Sequence, residues 1–181
     1  MDFRYLGLSG LKVSSYCLGT MTYGETTEEN DAHLQISEAF SSGINFIDTA
    51  EMYPTCPIRK ETSGETEKII GNWINNNKDK RKDIILATKV VGNGFKYIRN
   101  GGPITKETIK VALHGSLKRL KTDYIDLYQL HWPNRGSYHF RSYWNYKPEK
   151  QDSKNITDEF LDIINTLIHL LLAISSLQDQ S

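Results

Sequence analysis

The chain has 181 residues, and its 22 basic and 22 acidic side chains cancel to a formal net charge of zero. That balance argues against a nucleic-acid partner or an anionic membrane surface, and by weakening colloidal repulsion it favours self-association. Cys17 and Cys56 lack C-x-x-C spacing and read as reduced thiols, and the N-terminus M-D-F-R-Y-L-G-L-S-G has no apolar core for a signal peptide, so a cytoplasmic protein is expected.

In chain order, Arg4-Tyr5-Leu6 and Lys12-Val13-Ser14 flank a segment whose glycines, Gly7 and Gly10, suit a tight turn, which predicts a short β-hairpin before the main fold. Tyr16-Cys17-Leu18 reads as a first buried strand ending in Gly19-Thr20-Met21, where glycine allows a ligand close to the backbone. Over residues 27–42 the apolar positions Ala32, Leu34, Ile36, Ala39 and Phe40 predict a helix capped by Thr27 and stopped by Gly43. The triplet Asn45-Phe46-Ile47 is a second strand that runs straight into Asp48 and then, through T-A-E-M, to Tyr53. Pro54 and Pro57 keep the following loop irregular to about Gly64, after which Ile69, Ile70, Trp73 and Ile74 form the apolar stripe of a helix over 65–75. Residues 75–82 read as a polar connector, and Ile84-Ile85-Leu86-Ala87-Thr88 as a third strand ending in Lys89. The glycine-rich segment 92–102 lacks the third glycine of a dinucleotide fingerprint and reads as a plain loop. Thr105 caps a helix through Leu120, and Lys121-Thr122-Asp123 turns into a fourth strand, Tyr124-Ile125-Asp126-Leu127-Tyr128-Gln129-Leu130, that ends in His131.

Strict strand-helix alternation argues for a parallel α/β architecture. Residues 134–157 are aromatic and polar and read as a long loop over the site mouth, and 157–177 as one apolar helix. Asp162 and His169 inside the 160–177 run make it a docking helix rather than a membrane span. Asn155-Ile156-Thr157 matches a glycosylation sequon that is idle without secretion. No His or Cys pair has metal-ligand spacing, since His114, His139 and His169 are scattered, so no metal is expected.

Successive strand ends thus deliver Asp48 with Tyr53, then Lys89, then His131, and the C-terminal edge of a parallel sheet is where sites are built. These four residues resemble the catalytic tetrad of the aldo-keto reductases. The resemblance extends to C-L-G-T-M-T-Y-G (17–24), D-T-A-E-M-Y (48–53), A-T-K-V (87–90) and S-L-K-R-L-K-T-D-Y-I-D-L-Y-Q-L-H-W-P (116–133). It covers about the first 135 residues and looks closest to the Tas-like branch. It implies the N-terminal half, about four β/α units, of a TIM-type (β/α)8 barrel, a fold that takes typically about 250 residues. Residues 1–167 are accordingly expected to be an incomplete domain of this type and 168–181 a divergent tail, a chain truncated relative to the family.

The chemistry implied is carbonyl reduction, in which hydride transfer leaves a negative charge on oxygen that a proton donor must quench. Tyrosine, with an ordinary pKa of about 10, is a weak acid at neutral pH, whereas an ammonium about 4 Å from a phenol stabilises the phenolate by up to roughly 4 kcal/mol at an effective dielectric of about 20. Tyr53 as the acid therefore needs a neighbour such as Lys89, Asp48 keeps that lysine charged and aimed, and His131 orients the substrate oxygen. The family further implies NADP(H), with Gly19, Thr20, Met21, Asp48 and His131 at the nicotinamide end and the phosphate-gripping residues in a second half that this chain is expected to lack. Tyr23 and Trp132 are expected to line the pocket of a small-molecule carbonyl substrate, Glu51 to be a loop charge, and the open half barrel to self-associate. Tyr143-Trp144-Asn145-Tyr146-Lys147 satisfies the Y-x-x-x-K of short-chain dehydrogenases, but no glycine-rich turn follows the first strand. The alternative from another class is a cofactor-sensing, channel-associated subunit without turnover, or a non-functional fragment.

Overall fold

A computed structural model describes residues 1–134 and 161–167; the expected loop over 134–157, apart from its first residue, and the tail at 168–181 lie outside the described residues. The predicted hairpin is formed by β1 (Phe3–Tyr5) and β2 (Lys12–Ser14), antiparallel with Phe3 opposite Ser14. Asn45 fastens it to the main sheet: its side-chain oxygen accepts the Ser14 N–H at 2.8 Å and its amide donates to the Lys12 carbonyl at 3.0 Å.

The main sheet has the order β3 (Cys17–Gly19), β4 (Phe46–Asp48), β5 (Ile85–Val90) and β6 (Leu127–Leu130). Between them run α1 (Glu29–Ser41), α2 (Glu65–Asn76) and α3 (Lys106–Leu120), so the expected alternation is present. β3, β4 and β5 are parallel, with Gly19, Asp48 and Ala87 in one row. Several local expectations change. The first strand, expected to be buried, has Tyr16 and Cys17 exposed and Leu18 half-buried, and β6 begins at Leu127 rather than at Tyr124. α1 begins at Glu29 without a side-chain cap, because the Thr27 hydroxyl pairs instead with that of Thr22 at 3.1 Å. Residues Lys78–Asp83 wind into a 3-10 helix rather than an open connector, and β5 runs one residue further, to Val90, rather than ending in Lys89.

The chain divides into two compact units, residues 1–89 with 115–129, and residues 90–114 with 130–181. In the first unit the period-2 alternation sorts side chains by face. Ile47, Leu86 and Thr88 are fully buried on the helix side, while Phe46, Ile85 and Leu127 on the other are only half-buried. α2 and α3 approach so closely at Gly71 that a Cβ there would lie 2.1 Å from the Arg119 carbonyl oxygen and 2.8 Å from Leu120 Cα. Glycine inside a helix ordinarily costs about 0.5–1 kcal/mol relative to alanine, yet here the overlap reverses the sign. Gly71→Ala is expected to destabilise the chain by about 1–3 kcal/mol, the range for overpacking, and a urea melt in which it gains stability would refute this contact.

At the start of β5 and β6, Arg81 is a buried clamp. Its guanidinium donates to Thr122 Oγ1 (3.0 Å), the carbonyls of Ile84 (3.0 Å) and Tyr124 (2.9 Å), and Asp126 Oδ2 (2.8 Å), and stacks 3.7 Å from the Tyr124 ring centroid. Asp126 Oδ2 also accepts the Leu86 N–H at 2.9 Å. Burial raises the Tyr124 phenol above its ordinary range, with Arg81 opposing. Beside this clamp lies a cleft of about 570 Å³ where Lys78, Lys118 and Lys121 gather near the ends of α2 and α3. Cations there complement the partial negative charge of two helix C-termini, a structural reason for the cluster.

In the second unit, residues 161–167 are helical, with Ile163 and Thr166 buried and the Thr166 hydroxyl donating to the Asp162 carbonyl at 2.7 Å. Asn134 closes the loop before α3 through its side-chain amide, which accepts the Ile104 N–H at 2.9 Å and donates to the Ile104 carbonyl at 2.6 Å. No helix among the described residues is long and apolar enough to cross a membrane.

Candidate active site

Asp48 closes β4, and its carbonyl accepts the Thr20 hydroxyl at 2.8 Å. Beyond it the chain stays against β5: Thr49 N–H donates to the Ala87 carbonyl at 2.9 Å and Glu51 N–H to the Lys89 carbonyl at 3.1 Å. Tyr53 is fixed by its own backbone, whose carbonyl accepts the Gly64 N–H at 2.9 Å just where α2 begins. The strand end, the loop and the helix start therefore hold the phenol against the sheet edge.

Lys89 reaches the same point from β5. Its Nζ lies 2.6 Å from Asp48 Oδ2, 2.7 Å from the Thr49 carbonyl and 3.5 Å from Tyr53 Oη, and 4.8 Å from the Tyr53 ring centroid. An ammonium has three protons, and these are three acceptors. The side chain of Lys89 is 13% exposed and that of Asp48 29%, so the pair is largely withdrawn from water, where charge-assisted bonds are strongest. The other Asp48 oxygen, Oδ1, accepts the Gln129 amide at 3.1 Å. Asp48, Tyr53 and Lys89, predicted from strand ends, are thus brought together.

Gln129 and the Thr49 carbonyl escaped the sequence reading. For Gln129 the signal was available in period-2 alternation along β6, which puts it on the face of Leu127. Cys17 also shares this environment, since it pairs in register with Phe46, two residues before Asp48. Burial first, and the Asp48 carboxylate second, push the Cys17 thiol up to about 11, against the pull of Lys89. A thiol reacts as the thiolate. Alkylation of Cys17, followed by peptide mass spectrometry, should therefore keep rising about ten-fold per pH unit through pH 10, and a plateau near pH 9 would contradict this placement.

Glu51, expected to be a loop charge rather than an acid catalyst, lies in the loop after β4 and is buried at 7% exposure. Tyr23 is 1% exposed, and burial pushes its phenol up to about 12. Its Oη has no hydrogen-bond partner among the described residues, while its carbonyl accepts the Thr66 hydroxyl at 2.7 Å. Gly19 is exposed with nothing within 4 Å of a Cβ built on it, and Met21 is 47% exposed. Among the described residues no group of three His, Cys, Asp or Glu side chains could hold a metal ion.

The second unit carries His131 and Trp132. His131 N–H donates to the Val90 carbonyl at 2.9 Å, and its ring lies 5.1 Å from that of Trp132. Trp132 is buried on Gly92, where a Cβ would come within 2.2 Å of the indole nitrogen, and that nitrogen donates to the Asn93 carbonyl at 3.2 Å. Phe95 packs 6.0 Å from Trp132 and 5.5 Å from Tyr97. The glycine-rich segment expected as a plain loop is therefore the packing partner of the tryptophan, with Gly92 where the ring lies against the backbone.

A family model of the Aldo/keto reductase family matches residues 16–172, most of the chain. The chain belongs to the aldo/keto reductase family. Among curated relatives, Protein tas of Escherichia coli strain K12 is 49% identical over 138 residues, which are 75% of this chain and 39% of that protein. The uncharacterized oxidoreductase YrpG of Bacillus subtilis strain 168 is 42% identical over 142 residues, 75% of this chain and 41% of its own length. Among solved structures, the holo form of the aldo-keto reductase AKR11C1 from Bacillus halodurans matches with a TM-score of 0.59 and 43% identity, over 72% of this chain and 40% of that one. The thermostable aldo-keto reductase Tm1743, solved with the inhibitor epalrestat, matches with a TM-score of 0.57 and 31% identity, over 74% of this chain and 44% of that one. The chain thus spans about two-fifths of the length of the curated relatives it matches. The family match takes in the whole four-stranded parallel sheet, which begins at Cys17, and starts after the N-terminal hairpin.

Proposed function

We propose that this chain carries the proton-donating part of an NADP(H)-dependent carbonyl reductase, with Tyr53 as general acid toward an aldehyde or ketone. The observation that supports it is the Lys89 ammonium, held by Asp48 at 2.6 Å and the Thr49 carbonyl at 2.7 Å, with Tyr53 Oη at 3.5 Å as its third neighbour. As Tyr53 releases its hydroxyl proton to the carbonyl oxygen, Lys89 stabilises the phenolate left behind, and Asp48 keeps the lysine charged throughout. For His131, Tyr23 and Trp132 the roles are those that the family resemblance implies, His131 toward the substrate oxygen and the other two toward the rest of the substrate. A reduced nicotinamide, when bound, supplies the hydride to the carbonyl carbon.

The residues present fit the nicotinamide end of that cofactor. Gly19 leaves open space beside Asp48 in the same row of the sheet, and the buried Tyr23 hydroxyl lacks a partner among the described residues. Thr20, its hydroxyl bound to the Asp48 carbonyl, contributes backbone rather than side chain, alongside Met21. The free thiols of Cys17 and Cys56 suit a reducing, cytoplasmic setting.

The test joins residues 1–134 of this chain to the remaining part of the Bacillus halodurans reductase. The graft should consume NADPH only when an aldehyde is present. The 181-residue chain alone, spanning two-fifths of its relatives, should bind NADPH without saturating in the micromolar range in a fluorescence titration. A folded graft that binds NADPH and leaves every aldehyde untouched would favour cofactor sensing over catalysis.

A further inference from the structure

We propose that Gln129 is a positioning residue that holds the plane of the Asp48 carboxylate and so keeps Lys89 directed at Tyr53. The inference rests on the reading of Tyr53 as proton donor and adds to it a residue that acts through Asp48. Gln129 Nε2 donates to Asp48 Oδ1 at 3.1 Å, while Oδ2 accepts from Lys89 at 2.6 Å. An ionised carboxylate only accepts, so the end of the Gln129 amide that meets it is the nitrogen, and its orientation follows from the chemistry.

The ion pair alone fixes a distance and leaves the plane free, because rotation about a terminal sp³–sp² bond is soft. With Oδ1 pinned by Gln129, that rotation is arrested and Oδ2 holds Nζ at one point. The Thr49 carbonyl takes a second ammonium proton at 2.7 Å, and the third is left for Tyr53. The reach is long. Gln129 lies on β6 and Asp48 on β4, with β5 between them, so their backbones are two strand spacings, about 10 Å, apart. The β5 residue in register with Asp48 is Ala87, whose methyl group leaves room for the amide to pass. A strand read from its apolar run thus carries one long polar side chain, and that side chain crosses a small residue to reach one carboxylate oxygen.

The experiment uses the ligand-free full chain and the ¹H–¹⁵N signal of the Lys89 ammonium, assigned by its disappearance in Lys89→Met. Gln129→Met keeps the length and removes the donor, and its ammonium protons should exchange with water about ten-fold faster or more. Gln129→Glu has the same shape and donates only when protonated. Compared with the parent chain at the same pH, it should show the same fast exchange at neutral pH and return toward the parent rate as the introduced carboxyl takes up a proton. A Gln129 that merely fills space would lower the melting temperature of both variants and leave ammonium exchange as in the parent chain, which overturns the proposal. Should Gln129→Met not fold, the ratio of Gln129→Glu exchange to parent exchange, followed from neutral pH downward, decides the matter. No cofactor or turnover enters this measurement, so unchanged exchange counts against Gln129 only, whereas the Tyr53→Phe experiment bears only on the proton donor.

Discussion

Tyr53→Phe, made in the graft with the Bacillus halodurans reductase, should lower turnover by about 10²–10⁴, the range for losing a positioned general acid. The substitution removes one oxygen and little else. The ring stays, the Lys89 ammonium keeps Asp48 and the Thr49 carbonyl, and the Tyr53 backbone still accepts the Gly64 N–H at the start of α2. The loss should therefore fall on kcat, with KM and the unfolding midpoint near those of the parent. A variant whose turnover stays within a few fold would show that another group delivers the proton.

Arg119→Met should destabilise the chain by about 3–5 kcal/mol, because it strands a buried carboxylate. Glu67 on α2 is 0% exposed, and both its oxygens are engaged: Thr88 Oγ1 donates to one at 2.6 Å and Arg119 Nε to the other at 2.7 Å. Arg119 is itself a quarter exposed, so most of the cost lies with the glutamate left in an apolar site. The double variant Glu67→Met with Arg119→Met should recover most of the loss, since replacing a whole buried ion pair by apolar groups is often close to neutral. Equilibrium urea melts of the two variants measure both terms. An Arg119→Met variant within about 1 kcal/mol of the parent would mean that the pair is solvated. The consequence reaches the site, because Thr88 and Lys89 are neighbours on β5 and point to opposite faces. The bond that ties Thr88 to α2 also fixes the strand from which Lys89 projects.

What was legible in the sequence was local. An apolar run entering a carboxylate, as at Phe46-Ile47-Asp48, or a lysine, as at Leu86-Ala87-Thr88-Lys89, marks both the strand and the group it delivers. Those runs located three of the four main strands to within a residue or two and brought Asp48, Tyr53 and Lys89 to one place. The reading failed where a polar group had a choice of partners. Thr27 looked like a helix cap, but a hydroxyl bonds whichever neighbour lies nearest, and here that was Thr22. That Glu51 in its loop is buried was not legible, because burial of a carboxylate leaves no trace in its neighbours along the chain. Glu67 with Arg119, 52 positions apart, and Gln129 with Asp48, 81 apart, are pairings that only the folded sheet creates. Gly71 and Gly92 showed no sequence signal beyond being glycine, since what requires them is the Arg119 carbonyl and the Trp132 indole.

The most direct test of the Asp48, Lys89 and Tyr53 assembly as reducing machinery follows the hydrogen. NADPH deuterated at the transferable position of the nicotinamide is incubated with the graft and an aldehyde, and the alcohol is examined by mass spectrometry and NMR. One deuterium on the former carbonyl carbon, lost together with turnover in Tyr53→Phe, is the expected result. Alcohol formed without deuterium, or deuterated alcohol formed equally well by Tyr53→Phe, would contradict the account.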